Sequence, residues 1–573
     1  MISNMKRFIY VLAAFALTLN LSGCKDFFDP ETNDRTNEED YLNSTSDLYS
    51  GFLGVSKTVQ DVAEKAMFLE GLRNDFLEPT YQSPQDYWDV YGYADHLGSG
   101  LKGNDLASPE GYYRVIMNAN DYISHVIEFN EKTPTALAEE EFNALVGSTI
   151  RYKVWAYMML AKIYGEAIYF DDPLTQYHDL VAAGHNFWKF DQIIDKCIDL
   201  IENGVDINGK MVNGRGNMVW STYLDPVSES PDIIWDRLCP LPEVLLAELY
   251  LWKGNFQAAL NNAVATINLG PNPEYAHWMY SSFEREGNWV GMFRGFRDTA
   301  AIAGASYNYE YQQVNNLINY FSNSGSNVYY MRPSQAAIDR FTAVGEDGRI
   351  LAGTYRSEGY TFGTQSGERV VSKFIPAGAA GTGADKTVNY INLYRSHDMY
   401  IIMVEALNNL ERFQAALKVL NGDGVQSTNQ GSDFKGHLVD GAYPESSYLY
   451  GLPARMGNGY TYAYLGIRMG VSASRVGTRV LEAPNLDTSI DRKFIDSLIV
   501  EEYGYEFAGE GKPLHAMIRN IRRYPENITV WAKKVAAKYD LAENSPVTSA
   551  QVEELLSADI NNWFIKYDLE AGN

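Results

Sequence analysis

Two segments of this sequence combine aromatic side chains with polar groups in stretches rich in Gly, Pro, Ser and Asn. The first, residues 76–111, contains Trp88 and Tyr91 and follows directly on Arg73 and Asp75. Sugar rings present C–H faces that pack on aromatic rings, while their hydroxyl groups need planar hydrogen-bonding partners such as guanidinium, carboxylate or amide groups. The combination indicates a saccharide-binding site. For each residue taken alone, packing of the loop onto the core is the alternative role.

The second segment, residues 271–330, is the other candidate wall of such a site. It has a similar composition, and its candidate ligand-binding residues are Trp278, Trp289, Tyr307, Tyr309 and Tyr311. Long segments without regular secondary structure are uncommon in compact domains unless they have a function. Because both segments show the same pattern, the two together favour a binding site over packing alone.

Sequence signatures of catalysis are missing. None of the eight His residues belongs to a His-Glu-x-x-His motif, and no Gly-x-Ser-x-Gly elbow is present. Residues 378–387 faintly resemble a phosphate-binding loop, but two residues separate Gly383 from Lys386, which breaks the pattern. The sequence therefore predicts no catalytic residue, no metal-ligand set and no cofactor.

The lack of these motifs does not exclude a glycoside hydrolase, because this enzyme class needs only two carboxylates at a set separation. Glu501, Glu502 and Glu506 could supply them. We expect these carboxylates to stabilise the last helices instead, by pairing with the basic residues that follow them. Those basic residues are Arg519, Arg522 and Arg523.

The elements that must position any site are predicted from a repeated helix–turn–helix pattern. Residues 241–260 and 397–417 both end in Phe-Gln-Ala-Ala-Leu, and both carry one acidic residue, Glu248 or Glu405, at the same distance before that Phe. A first helix that is apolar almost all round must be sandwiched between neighbours. The pattern is typical of tetratricopeptide-like pairs, which bury their faces by stacking. Both carboxylates are expected to make scaffold contacts.

The fold class that follows is mainly α, with tetratricopeptide-like helix pairs, long irregular loops and a few short β-hairpins. We expect loop insertions at about residues 76–111, 271–330 and 422–479. Helices are expected at 41–75, 112–130, 141–170, 187–203, 494–507 and 551–564, and hairpins within 345–394. Cys197 and Cys239 are interpreted as buried free thiols, with a bridge between them as the alternative.

The amino terminus has the features of an export signal. Lys6 and Arg7 precede an apolar run, Phe8 to Leu21, and Leu21-Ser22-Gly23-Cys24 then resembles the lipobox of bacterial lipoproteins. We expect residues 1–23 to be a signal peptide, Cys24 to carry acyl chains such as palmitate, residues 24–40 to be an acidic tether, and residues 41–573 to form a single domain. An uncleaved anchor with an incidental Cys is the alternative.

The charge of the chain limits its partners. With 73 acidic and 47 basic residues, the formal net charge is −26. A chain with this balance cannot attract a polyanion by electrostatics, so nucleic acid is not an expected partner.

The sequence resembles the SusD/RagB family of Bacteroidetes outer-membrane lipoproteins. The likeness is carried by four stretches in the expected order: the lipobox with Cys24, the segment Ile150 to Gly165, the repeat helices with Ala247-Glu248 and Val404-Glu405-Ala406, and residues 495–512 with Glu501-Glu502, Glu506-Phe507 and Glu510-Gly511. Residues 513–517, Pro-Leu-His-Ala-Met, depart from the family pattern of an aromatic residue and an Asp-Leu pair.

The resemblance implies a non-catalytic protein on the outer membrane that binds an oligosaccharide and delivers it to a SusC-like TonB-dependent transporter. A family member that binds peptides or another nutrient is the alternative. The site positions vary within the family, and the best-matched residues here are Arg73, Asp75 and Trp88.

Overall fold

The computed structural model describes residues 42–173, 186–207, 209–217, 237–269, 293, 301–344, 361–375, 387–421, 443–452 and 489–567. The chain divides into two compact units, Met1–Gly51 and Phe52–Asn573. In the first unit, Ser44 and Asp47 cap the start of a helix reciprocally: the Ser44 N–H donates to Asp47 Oδ2 at 2.9 Å, and the Asp47 N–H donates to Ser44 Oγ at 3.2 Å.

Helices are the main element of the described residues, which confirms the predicted fold class. In chain order they are α1 Thr45–Val62, α2 Lys65–Arg73, α3 Gln85–Tyr91, α4 Ala94–Leu97, α5 Glu110–Lys132, α6 Glu139–Tyr164, α7 Phe190–Glu202, α8 Pro242–Lys253, α9 Phe256–Leu269, α10 Leu317–Phe321, α11 Gln335–Val344, α12 Ser396–Asn409, α13 Phe413–Asn421, α14 Ser489–Glu506, α15 Pro513–Arg523, α16 Ile528–Asp540 and α17 Ser549–Ala558. Among the helices of the described ranges, none is both long enough and apolar enough to cross a bilayer.

The strands are short and pair in twos, always antiparallel within the described ranges. They are β1 Leu77–Pro79, β2 Glu166–Ile168, β3 Phe187–Lys189, β4 Val205–Ile207, β5 Lys210–Val212, β6 Ala301–Ser306, β7 Met331–Pro333, β8 Gly363–Gln365, β9 Glu368–Val370 and β10 Tyr390–Arg395. The pairs are β1–β7, β6–β10, β2–β3, β4–β5 and β8–β9. The β8–β9 pair confirms a hairpin within residues 345–394.

The two repeats form two helix pairs, α8–α9 and α12–α13. The first turn is closed by Gly254, whose φ of 77° is in the left-handed region that favours glycine. In the second turn, Glu411 takes this conformation with a φ of 61°. Helix α9 packs against α12, so the pairs stack although the chain between them is long.

The buried carboxylates of the repeats hold distant helices together. Glu248 accepts a hydrogen bond from Lys162 Nζ of α6 at 2.6 Å and another from the Tyr394 hydroxyl at 2.6 Å. Glu405 accepts from Arg519 Nε at 3.1 Å and from Arg523 at 2.6 Å, both on α15. The predicted scaffold role of both carboxylates is confirmed.

For two carboxylates of α14, Glu501 and Glu506, the predicted pairing with Arg519, Arg522 or Arg523 is wrong. Glu506 binds Arg395 at 2.6 Å, and Glu501 binds Lys534 of α16. The reason is helical spacing: Arg519 and Arg523 are four residues apart, share one face of α15, and this face meets Glu405 of α12.

Arg522, on another face of the same helix, pairs with Asp191. Glu502 is buried in α14. Cys197 and Cys239 are buried free thiols, as predicted.

The segment expected to be a loop at residues 76–111 contains β1, α3 and α4. Sequence periodicity missed them because three to seven residues are too few to show a helical or strand period. The expected insertion at 422–479 lies outside the described residues except for 443–452.

We predict that Glu405→Gln destabilises the protein by about 3–5 kcal/mol, because Arg519 loses the carboxylate that it binds and Arg523 is left with Asp496 as its buried counter-charge. The Glu405 side chain is 2% exposed. Urea unfolding followed by circular dichroism measures the change. Glu526→Gln is the matched control, since its pair with Lys493 is exposed and should not move the unfolding midpoint.

The ion pairs of Glu405 with Arg519 and Arg523 also make the stability of the protein depend on pH. Burial opposes ionisation of Glu405, but the two guanidinium groups outweigh it and lower its pKa below the ordinary value of 4.5. Its stabilisation is therefore complete above about pH 4.5 and is lost as the pH falls through the lower folded pKa. Equal stability of the variant and the wild-type protein at pH 7 would contradict this account.

Candidate functional site

The candidate site is built on the β1–β7 pair. Glu78 and Arg332 lie directly opposite one another in this antiparallel register, so their side chains project from the same face. Arg332 Nε donates to Glu78 Oε1 at 2.7 Å, and Arg369, from β9, donates to the same oxygen at 2.7 Å. This cluster is the polar floor of the site.

Helix α3 places aromatic rings beside this floor. The turn before it is held to β7, since the Thr80 N–H donates to the Tyr330 carbonyl at 3.1 Å. Trp88 and Tyr91, three residues apart, share one face of the helix, and their rings meet edge to face with centroids 6.0 Å apart. Tyr91 is fully buried, whereas Trp88 is half-buried.

Helix α16 supports these rings from behind. The Tyr539 ring lies 4.8 Å from that of Tyr91, and its hydroxyl donates to the Tyr91 carbonyl at 2.7 Å. Lys538 donates to the carbonyls of Leu72 and Leu77 at 2.6 and 3.3 Å, which joins α16 to the end of α2 and to β1. Burial lowers the pKa of Lys538 well below its ordinary value. The position of Trp88 thus depends on a helix far along the chain.

Between these elements lies a depression that we call the Trp88 depression. It is lined by Glu78, Pro79, Tyr81, Trp88, Tyr91, Arg332, Ala542, Glu543 and Asn544. Its empty volume is about 370 Å³ including open solvent. Tyr81 stands at its edge with 80% of its surface exposed. An indole face beside carboxylate, guanidinium and amide groups can bind a ring that carries hydroxyl groups.

Of the residues predicted for this segment, the structure brings Trp88 and Tyr91 together and places Arg73 and Asp75 in two separate ion pairs. Arg73 donates to Asp95 at 2.7 Å in a buried pair. Asp75 pairs with Arg340 of α11. Neither Arg73 nor Asp75 lines the Trp88 depression.

The candidates of the second segment lie elsewhere. Tyr307 is buried, and its hydroxyl donates to the Gln60 carbonyl at 2.6 Å. Tyr309 and Tyr311 are exposed in a 3₁₀ turn and do not line the Trp88 depression. Trp278 and Trp289 lie outside the described residues, as does Cys24 with the segments 1–23 and 24–40.

Other aromatic residues connect the second segment to α3. Tyr87 of α3 lies 6.1 Å from Tyr320 and 5.3 Å from Tyr330, ring to ring. Tyr320 and Tyr330 lie 4.8 Å apart, and both are half-buried. The two aromatic segments therefore contact each other at α3, but through residues other than the predicted candidates of the second segment.

The remaining lining residues were also missed by sequence reasoning. Arg332 is 254 positions from Glu78 along the chain, and Glu543 and Asn544 follow α16. No local sequence signal indicates these partners, because each comes from a separate element. Tyr81 is the exception, since it belongs to the aromatic stretch that the composition marks.

A second cavity, with an empty volume of about 680 Å³ including open solvent, is lined mostly by buried residues of the second unit. Its charged groups pair with one another: Lys512 binds Asp398 at 2.6 Å, and Lys162 binds Glu248 at 2.6 Å. Burial lowers the pKa of His515 at this cavity well below its ordinary value. The cavity is part of the packing between helices. Within the described residues, no cluster of His, Cys, Asp or Glu could hold a metal ion.

Comparison with known proteins identifies the fold. No protein-family model matches the sequence, and no curated protein matches it. A SusD homolog from Bacteroides thetaiotaomicron matches with a TM-score of 0.57 at 12% identity, over 91% of this chain and 94% of its own. A SusD superfamily protein from that species matches with a TM-score of 0.51 at 15% identity, over 85% and 92%.

A SusD-like carbohydrate binding protein from Bacteroides vulgatus also matches, with a TM-score of 0.50 at 14% identity and coverage of 84% of both chains. At these identities the likeness establishes the fold. The SusD-like fold that the sequence resemblance implies is therefore confirmed.

We predict that Asp75→Asn lowers the free energy of unfolding by about 3 kcal/mol, because Arg340, whose side chain is 18% exposed, loses the buried carboxylate that it binds. The loss is measured by urea unfolding. Asp89→Asn on α3 is the control and should cost less than about 0.5 kcal/mol, since Asp89 is half-exposed and bonds Gln85 one turn away. Unchanged stability of Asp75→Asn would show that the pair does not support the site.

Proposed function

We propose that this protein binds an oligosaccharide in the Trp88 depression and delivers it, without chemical change, to a SusC-like TonB-dependent transporter of the outer membrane. The observation that carries the proposal is the half-buried Trp88 ring beside a polar floor, on a SusD-like fold. The other parts of the proposal depend on the binding of a sugar at Trp88.

The chemistry of the depression favours a sugar ring over an extended peptide. Trp88 and the exposed Tyr81 offer apolar faces of the size of a pyranose, and Glu78, Arg332 and Asn544 offer acceptors and donors at the same place. Adding a peptide as an extra strand requires a free strand edge. Strand β1 is only three residues long and one of its edges pairs with β7, so it offers a peptide no more than one short edge.

The absence of catalysis is part of the proposal. A hydrolase of glycosides needs one carboxyl group to donate a proton and a second to act as base or nucleophile. The inner carboxylate of the depression, Glu78, is held by two guanidinium groups at 2.7 Å each. These contacts give the Glu78 carboxylate a structural role between β1, β7 and β9.

The location at the cell surface is supported by the sequence and by the fold. Lipidation of Cys24 would attach the protein to the outer membrane, and the acidic residues 24–40 would connect the lipid to the folded units. A SusD-like carbohydrate binding protein is among the structures with this fold, which supports a sugar as the cargo.

We predict that Trp88→Ala weakens binding of the best oligosaccharide from a polysaccharide-derived panel by roughly tenfold or more, because one sugar face loses its aromatic partner. Isothermal titration calorimetry on the full-length protein in detergent measures the change. Tyr450→Ala is the matched control, because Tyr450 is an exposed aromatic residue outside the depression.

Equal sugar affinity of Trp88→Ala and the wild-type protein would contradict the proposed site. Binding of peptides but of no saccharide would favour the alternative cargo. Release of reducing sugars by the purified protein would contradict the non-catalytic role. Tyr311→Ala in the same assay shows whether the second candidate wall takes part.

We predict that Cys24→Ser, expressed in a Bacteroides host, moves the protein from the outer-membrane fraction to the soluble fractions, because the acyl chains are its membrane attachment. Fractionation and immunoblotting measure the distribution. An unchanged membrane fraction would instead indicate that the apolar run before Cys24 is an uncleaved anchor.

A further inference from the structure

One oxygen at the floor of the Trp88 depression has no hydrogen-bond partner among the described residues. Glu78 Oε1 accepts from both Arg332 and Arg369, but Glu78 Oε2 is buried and accepts no hydrogen bond from the described residues. Among the described residues, the hydroxyl group of the nearby Tyr91 also lacks a hydrogen bond of good geometry. Ser545 and Glu78 are among its polar neighbours. A buried carboxylate oxygen left unpaired is costly unless a ligand supplies a donor.

The positive charges of the depression are already used by the protein. Arg332 Nε, Nη1 and Nη2 face oxygens of Glu78, Glu368 and Glu543 at 2.7, 3.4 and 3.6 Å. Although burial opposes it, the Glu78 carboxylate raises the pKa of Arg332 above its ordinary value. Each Arg332 nitrogen therefore faces a carboxylate of the protein, which competes with an anionic ligand for the guanidinium group.

Arg369 is committed in the same way. Its Nη2 donates to Glu78, and its Nη1 donates to Gln335 Oε1 at 3.3 Å. Lys538 donates to main-chain carbonyls and does not line the depression. Three carboxylates thus surround two guanidinium groups, and the local balance is negative.

From this arrangement we infer that the Trp88 depression selects uncharged sugar rings and rejects uronic acids. A hydroxyl group of a neutral sugar donates its proton to Glu78 Oε2 while the ring lies on Trp88. A sugar carboxylate has no proton to donate at neutral pH and meets Glu78 and Glu543 with like charge. The inference rests on the proposed function and adds to it the class of sugar.

The exposed Glu543 makes the inference testable without disturbing the core. Its side chain is 77% exposed and touches the cluster only through Arg332. Glu543→Lys would free Arg332 and add a positive charge at the rim. Glu140→Lys makes the same change of net charge at an exposed site that does not line the depression. It separates a local effect from the field of the whole anionic chain.

The experiment is calorimetry on the full-length protein in detergent at pH 7.5 and physiological salt. The probes are tetrasaccharides of glucose, galactose and mannose, each matched with the tetramer of its own uronic acid. We expect the best neutral tetramer to bind about tenfold or more tighter than its uronic counterpart. Glu543→Lys should reduce this ratio to about threefold or less, and Glu140→Lys should leave it unchanged.

The outcomes separate the two proposals. Equal or tighter binding of the uronic tetramer to the wild-type protein overturns the inference but leaves a saccharide-binding protein. Equal effects of Glu543→Lys and Glu140→Lys also overturn it, because discrimination would then come from net charge. Binding of neither class of tetramer, with peptides bound instead, overturns the proposed function and the inference together.

Discussion

This structure depends on ion pairs that are buried between helices from distant parts of the chain. A lone carboxylate in an apolar helix must find a cation, because an unpaired buried charge is more costly than most proteins can tolerate. Glu405 finds two guanidinium groups on α15, and Arg395 of β10 is held by Glu506 and Glu510 at 2.6 and 2.8 Å. These contacts fix the C-terminal helices against the repeat pairs. Ion pairing, as well as apolar burial, therefore determines which helices pack together.

The same principle reaches the candidate site. Lys538 of α16 holds the carbonyls at the end of α2 and in β1, while Glu78 joins β1 to Arg332 of β7 and Arg369 of β9. The aromatic residue Trp88 therefore stands on a support that is cross-linked by charge on several sides. A site whose floor is already rigid loses little conformational freedom when a ligand binds, which favours affinity from modest contact area.

Sequence reasoning predicted the scaffold better than the site. The recurrent Phe-Gln-Ala-Ala-Leu and the apolar first helices indicated stacked pairs, because helical periodicity over a dozen residues is a strong local signal. The departure at Pro513 is explained by the structure, since Pro513 is the first residue of α15, where its missing N–H costs nothing. Trp88 and Tyr91 were identified from composition, but Arg332 and Glu543 were not, because a pairing across 254 positions leaves no local pattern. The family resemblance singles out Arg73 and Asp75, and the structure places them in ion pairs that do not line the Trp88 depression.

The central claim is that a sugar ring packs on Trp88 above the Glu78 floor. A crystal structure of the protein with its best-binding neutral tetrasaccharide tests this most directly. We expect a pyranose face about 4–5 Å from the Trp88 ring, with one hydroxyl group within hydrogen-bond distance of Glu78 Oε2. A sugar bound against Tyr309 and Tyr311, or in the interior cavity at His515, with the Trp88 depression empty, would contradict it.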